Sequence, residues 1–179
     1  MKKLKVGWFS FSCSEDSTII FTELLNDNYQ KWKKLIDFKS ILVMQKKEDF
    51  SEFDVAFVEG AITSKSQEEK LLKIRKLAKK LVAIGSCACM GLPSTQRNQF
   101  EANIQEEIGP FLLRLNYADK VKILREIVTV DDQVPGCPMN EKIFLDILDK
   151  YLKEFGITGD AELNSAWQNR HPELVSGSH

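Results

Sequence analysis

Leu81-Val82-Ala83-Ile84-Gly85-Ser86-Cys87 is a short apolar run that stops at a glycine and delivers a cysteine. A run of this length, with β-branched residues and no polar alternation, reads as a strand buried on both faces. Upstream, Asp54-Val55-Ala56-Phe57-Val58 has the same character, with Glu59 and Gly60 just beyond it. Between the two lies a helical stretch. Ser66 with Glu69 three residues on predicts a capping box opening it. Leu71, Ile74, Ala78 and Leu81 fall on one face, and Lys70, Lys73, Arg75, Lys76, Lys79 and Lys80 form a solvated face with Glu68 and Glu69. Strand, helix, strand is the unit of a parallel sheet.

Working outward, the pattern repeats. Lys3–Ser10 predicts the first strand, followed by a hydroxyl-rich turn from Ser10 to Thr18. A helix over about Ser17–Leu35 carries Ile20, Leu24, Tyr29 and Trp32 near helical spacing. Phe38–Met44 predicts a second strand. Past Cys87 a loop runs to Asn98, then a helix over about Phe100–Leu115 that Pro110 kinks or splits. The alternating apolar residues of Lys122–Val130 predict the last strand, which leads into Val134-Pro135-Gly136-Cys137-Pro138. Asn140 caps a final helix with apolar pairs at Ile143/Phe144, Ile147/Leu148 and Tyr151/Leu152. The expectation is one α/β domain over residues 1–156. Its fold is flavodoxin-like, a mostly parallel, doubly wound sheet with helices on both faces. A polar tail follows over 157–179, whose last ten residues resemble peptides translated from dispersed bacterial repeats.

Bulk properties exclude several functions. Twenty-five Lys and Arg balance 26 Asp and Glu, which gives no basis for nucleic acid as a partner. No stretch approaches the length of a membrane span, and the N-terminus lacks the apolar core of a signal peptide, so the expectation is cytoplasmic. The two histidines, His171 and His179, both fall in the tail. Triads that need histidine and His-rich metal sites therefore cannot be built from the domain. No Gly-x-Gly-x-x-Gly or Gly-x4-Gly-Lys-Ser/Thr occurs, which leaves dinucleotide binding and NTP hydrolysis unsupported.

The four cysteines carry the remaining chemistry. Cys13 follows the first strand, Cys87 and Cys89 follow the strand ending at Gly85, and Cys137 follows the last strand. Loops beyond the carboxyl ends of parallel strands meet in one crevice, so three segments can deliver thiolates to one place. Ser12, Ser86 and Gly136 beside them allow close approach of the backbone and offer amide donors. Buried packing cysteines and a structural zinc site are the alternatives. Four cysteines at strand ends argue against the first, and the lack of any Cys-x-x-Cys argues against the second. A cubane iron–sulfur cluster needs thiolates from several directions, which this arrangement can supply.

Gly85-Ser86-Cys87-Ala88, Val134-Pro135-Gly136-Cys137-Pro138 and Asp54-Val-Ala-Phe-Val-Glu59-Gly60, over about residues 3 to 153, resemble the small subunit of nickel–iron hydrogenases and sulfhydrogenases. They also resemble the related 20 kDa subunit of complex I. The resemblance implies an electron-transfer subunit of an oxidoreductase complex, with one proximal cluster, [4Fe–4S] or [3Fe–4S]. Catalysis would lie in a large nickel–iron partner subunit, and further electron-transfer subunits would carry current onward. It implies Cys13, Cys87 and Cys137 as ligands. The family places a second cysteine near the first, where this chain has Ser14 and Asp16. The fourth ligand is therefore open between Cys89, Ser14 and Asp16. Glu59 reads either as an acidic residue near a subunit interface or as a plain strand-end carboxylate. Arg97 reads as a counter-charge to a cluster or as a solvated loop cation. Two other readings stand beside this one. A flavodoxin-like FMN protein would use the hydroxyl-rich turn for phosphate and Trp8 or Phe11 for stacking, although Glu15 and Asp16 would repel a phosphate. The other is an interaction module without a cluster.

Overall fold

The computed structural model describes residues 2–41 and 51–157. Five strands form one sheet, all parallel, in the order β2-β1-β3-β4-β5. They are β1 (Leu4–Ser10), β2 (Ile36–Ile41), β3 (Phe53–Glu59), β4 (Ala78–Ile84) and β5 (Asp132–Val134). The helices are α1 (Asp16–Leu35), α2 (Lys65–Leu77), α3 (Gly85–Met90), α4 (Ala102–Arg114) and α5 (Glu141–Glu154). This is the doubly wound order expected from the sequence, and the chain reverses direction across the sheet between β1 and β3.

Each face of the sheet has its own core. On one, Trp8, Phe57 and Val82 meet Phe21, Leu24 and Trp32 of α1 and Phe144, Leu148 and Tyr151 of α5. Trp8 stacks on Phe21 at 4.2 Å between ring centres, and Phe144 packs on Phe57 at 5.3 Å. On the other, Phe9, Phe53, Ala56 and Val58 meet Leu71 and Ile74 of α2, with Ala88, Cys89, Leu124 and Val128. Every residue of β3 is buried: Val55–Val58 as an apolar run requires, and Asp54 with its carboxylate bonded to the Lys5 N–H and the Lys79 ammonium.

Several local expectations are corrected. Tyr29 is exposed, because a residue five positions from Leu24 falls out of phase with the buried stripe, which runs through Asn28 and Trp32 instead. The cap of α2 is Ser64, whose hydroxyl accepts from the Gln67 N–H at 3.3 Å. Ser66 bonds to the Ser64 hydroxyl. Ala78 and Leu81 belong to β4, not to α2. The second strand begins at Ile36, and the part expected over Leu42–Met44 lies outside the described residues. The tail from Thr158 lies outside them too, with both histidines.

Two corrections bear on the site. Lys122–Val130 is not a strand. Leu124 and Val128 pack onto the α2 face and Ile123 is buried next to them, and the Glu126 carboxylate accepts from the Ile123 N–H at 2.7 Å, capping a turn over Leu124–Glu126. Apolar alternation there serves a covering segment, and pairing with β4 begins only at Asp132. The segment after Cys87 is not all loop: Gly85–Met90 is a six-residue helix ended at Gly91. Pro110 sits within a continuous α4.

Candidate functional site

The carboxyl ends of β1, β3, β4 and β5 open onto one crevice. Cys13, Ser14, Asp16, Ser17, Glu59, Cys87, Gly136 and Cys137 line it. The structure therefore brings together Cys13, Cys87 and Cys137 from three separate segments, with Ser14 and Asp16. All three thiols are free. Cys89 is not among them.

Backbone pairing fixes where each thiol enters. The segment after β1 is laced to the end of β3: the Phe11 N–H donates to Glu59 O at 2.8 Å, and Ser12 and Ala61 exchange N–H bonds at 3.1 and 3.0 Å. Gly60 makes that approach feasible. Its φ is +91°, and a Cβ there would stand 2.9 Å from the carbonyl carbon of Phe11. The Ser86 N–H donates to Gly136 O at 2.7 Å, tying the Cys87 helix to the Cys137 turn. The Met139 N–H donates to the Ser17 hydroxyl at 3.2 Å, tying that turn to the start of α1. Gly136, at φ +119°, has no room for a Cβ, which would meet Pro138 O at 2.4 Å.

Glu59 sits at the base of this crevice, only 3% exposed. Its two oxygens accept from the Ser17 N–H at 3.1 Å and the Thr18 hydroxyl at 2.7 Å. Thr18 in turn accepts from the Trp8 indole N–H at 2.9 Å. Ser17 and Thr18 are thus the residues that satisfy a buried acid, a role the sequence reading did not assign them. The signal available was a carboxylate ending a strand with no polar face, which must find donors once buried. Arg97 is turned away from the crevice and donates to Ala118 O and Asp119 O at 2.7 and 3.3 Å.

The thiols differ in setting. Burial, then the charge of Glu59, pushes the Cys13 thiol up to about 12. A thiol held so high stays protonated at neutral pH unless a cation offsets the cost of the thiolate. The Cys87 sulfur accepts from the Ser94 hydroxyl at 3.1 Å and lies 3.4 Å from Leu92 O. The Cys137 sulfur is exposed, 4.0 Å from Asp16 Oδ2. Cys89 is buried in the core against α2 and β4, its thiol donating to Ala83 O at 3.4 Å, and burial pushes it up to about 11. Among the described residues, no three His, Cys, Asp or Glu side chains converge tightly enough to hold a single metal ion. No helix among them is long and apolar enough to cross a membrane.

The sequence profile of the family described as the 20 Kd subunit of NADH ubiquinone oxidoreductase matches residues 18–151, a span that includes Cys87 and Cys137 and begins just after Cys13. The G subunit of the F420-non-reducing hydrogenase of Methanothermobacter marburgensis is 28% identical over 131 residues, which is 65% of this chain and 42% of that protein. The gamma subunit of the coenzyme F420 hydrogenase of Methanosarcina barkeri is 27% identical over 155 residues, 81% of this chain and 52% of its own length. The chain thus spans about half the length, or less, of these relatives. Among solved structures, a chain of an NAD+-reducing [NiFe]-hydrogenase superposes with a TM-score of 0.67 at 22% identity, covering 85% of this chain and 93% of that one. A chain of the [NiFeSe]-hydrogenase of Dm. baculatum superposes with a TM-score of 0.59 at 16% identity, covering 87% and 64%. These structural likenesses concern the fold.

Proposed function

Because this chain belongs to the family of the 20 Kd subunit of NADH ubiquinone oxidoreductase, we propose that it is the electron-transfer small subunit of a hydrogenase-like complex. By this reading it holds one iron–sulfur cluster through Cys13, Cys87 and Cys137. The observation that carries it is that these three thiols, from three strand ends, line one crevice. The donor set fits the group. Thiolates are the ligands iron–sulfur clusters use, and a cluster several atoms across is reached by thiols that do not meet at one point. The bound cluster would store and pass one electron at a time.

The chain's own residues set the terms of that transfer. Cys13 is half-buried in the crevice, and the Ser94 hydroxyl bonds the Cys87 sulfur, which tunes a cluster's potential. The domain has no histidine to move protons, and catalysis belongs to a partner, a large nickel–iron hydrogenase-like subunit. Further electron-transfer subunits would carry electrons onward. Exposed Met90 and Leu92, 53% and 51% accessible and beside Cys87, suit a face that a partner covers. A flavin phosphate is poorly served: the Ser17 N–H and Thr18 hydroxyl are committed to Glu59, and Asp16 adds negative charge.

The test is low-temperature EPR of the full chain after anaerobic reconstitution with iron and sulfide, oxidised and dithionite-reduced. A reduced cluster signal in the wild type, lost in Cys13→Ala and Cys137→Ala, supports the proposal. A colourless protein with neither signal nor bound iron refutes it, and a flavin absorbance band in the purified protein favours the FMN reading instead.

A further inference from the structure

We propose that Asp16 is the fourth ligand, so that one iron of the cluster is held by a carboxylate oxygen and is the iron given up on oxidation. The inference rests on the reading of Cys13, Cys87 and Cys137 as cluster ligands.

Four side chains are candidates by type, and their placement separates them. Cys89 is excluded by the helix that carries it. Residues two apart on an α-helix point about 200° from each other. Cys87 faces the crevice, so Cys89 faces the core, where it is 1% exposed and bonded to Ala83 O. Turning it inward would unwind α3, whose end is closed by the Gly91 N–H on Ser86 O and Cys87 O at 3.0 and 3.1 Å. Glu59 lines the crevice, but both its oxygens are committed to Ser17 and Thr18. The Ser14 hydroxyl donates to Asp16 Oδ2 at 2.7 Å and would have to lose its proton to bind iron. Asp16 remains. It lines the same crevice, at the first residue of α1, with Oδ2 4.0 Å from the Cys137 sulfur. The Ser14 hydroxyl and the lacing of Ser17 to Glu59 and Met139 hold it at the crevice wall.

The chemical consequence follows from ligand type. Soft thiolates suit iron–sulfur clusters, and a carboxylate oxygen is a harder and weaker partner for that iron. On oxidation by one electron the iron–carboxylate bond breaks, Asp16 keeps the bonding pair, and [4Fe–4S]2+ becomes [3Fe–4S]+ plus Fe2+, with the electron taken by the oxidant. A one-electron oxidant such as ferricyanide supplies that acceptor.

The experiment measures iron per chain and EPR of the anaerobically reconstituted full chain before and after one equivalent of ferricyanide. It compares wild type, Asp16→Ala, Asp16→Cys, Cys89→Ala and Cys13→Ala, each checked for folding by far-UV circular dichroism. Wild type and Cys89→Ala are expected to fall from four irons to three, with the signal of an oxidised three-iron cluster. Asp16→Cys keeps four irons through the same treatment, and Asp16→Ala is reconstituted with three from the start. Four irons in Asp16→Ala, or a loss specific to Cys89→Ala, overturns the assignment of Asp16. Should Asp16→Ala misfold, Asp16→Cys decides: ferricyanide lability equal to wild type overturns it as well. A cluster present in wild type and lost in Cys13→Ala leaves the three-cysteine reading standing whatever the Asp16 variants do. A wild type that binds no cluster defeats both.

Discussion

The Ser94 hydroxyl on the Cys87 sulfur is a single hydrogen bond with a readable consequence. In the proposed cluster-bound state a donor to the Cys87 thiolate would stabilise the more negative, reduced form. Its loss in Ser94→Ala is then expected to lower the midpoint potential by about 40 mV, the equivalent of ~1 kcal/mol for a one-electron couple. A redox titration followed by EPR measures it, and an unchanged or raised potential refutes the bond's role. Gly60 is the second residue with leverage. Gly60→Ala places a Cβ against the Phe11 backbone at a φ that L-residues disfavour, at a cost of about 1–3 kcal/mol from conformation alone and more from the clash. Urea unfolding should show that loss, and iron content after reconstitution should fall because Cys13 is displaced. Sequence reading reaches only one of the two residues. Gly60 stood in a recognisable segment, but that Ser94 bonds the Cys87 sulfur follows from a turn that folds back onto α3, which no spacing in the chain announces.

At the scale of elements, the ends of strands are held by carboxylates whose protonation is felt as stability. Burial works to raise Asp132, but hydrogen bonds from Lys150 and Tyr151 outweigh it and hold its carboxyl below the usual range. Those bonds join β5 to α5. An acid with a lowered folded pKa contributes stability above its unfolded value of about 4, and that contribution disappears as pH falls through the folded value. Thermal melts of wild type should therefore lose stability more steeply below about pH 4 than melts of Asp132→Asn, which is less stable at pH 7 and flatter in acid. Parallel curves over that range would count against the pairing. The elements themselves were legible in proportion to their burial. β3 and β4 were read correctly as buried because an unbroken apolar run has few other uses, and α5 because Asn140 and the paired apolar residues agree. Lys122–Val130 was misread, since its apolar residues belong to a covering turn that buries Ile123, Leu124 and Val128 and leaves Arg125 and Glu126 exposed, a pattern that mimics alternation in the sequence.

For the whole molecule, the exposed apolar side chains among the described residues suit the partner proposed above. α4 has no buried residue, and Phe111, Leu113 and Leu115 are exposed, as are Met90 and Leu92 beside Cys87. A double variant Met90→Lys and Leu92→Lys should leave the chain's own stability within about 0.5 kcal/mol, since both residues lie at the surface and are about half exposed. Co-purification with a co-expressed large subunit should drop by an order of magnitude or more if that face is covered in the complex. Undiminished co-purification would place the interface elsewhere.

The sequence by itself determined the class of fold and the three thiol-bearing segments. Buried parallel strands must be apolar along their length, and ligands must follow their carboxyl ends. What only the tertiary structure decided is which side chains share the crevice. Cys87 and Cys89 are two residues apart in a Gly-Ser-Cys-Ala-Cys run that reads as loop, and only the helical turn of α3 sends one to the site and the other to the core. Asp16 and Cys137 are 121 residues apart and approach to 4.0 Å only because α1 and the turn after β5 close on the same edge of the sheet. Proximity of that kind is set by strand order and helix phase together, and no local stretch of chain encodes both.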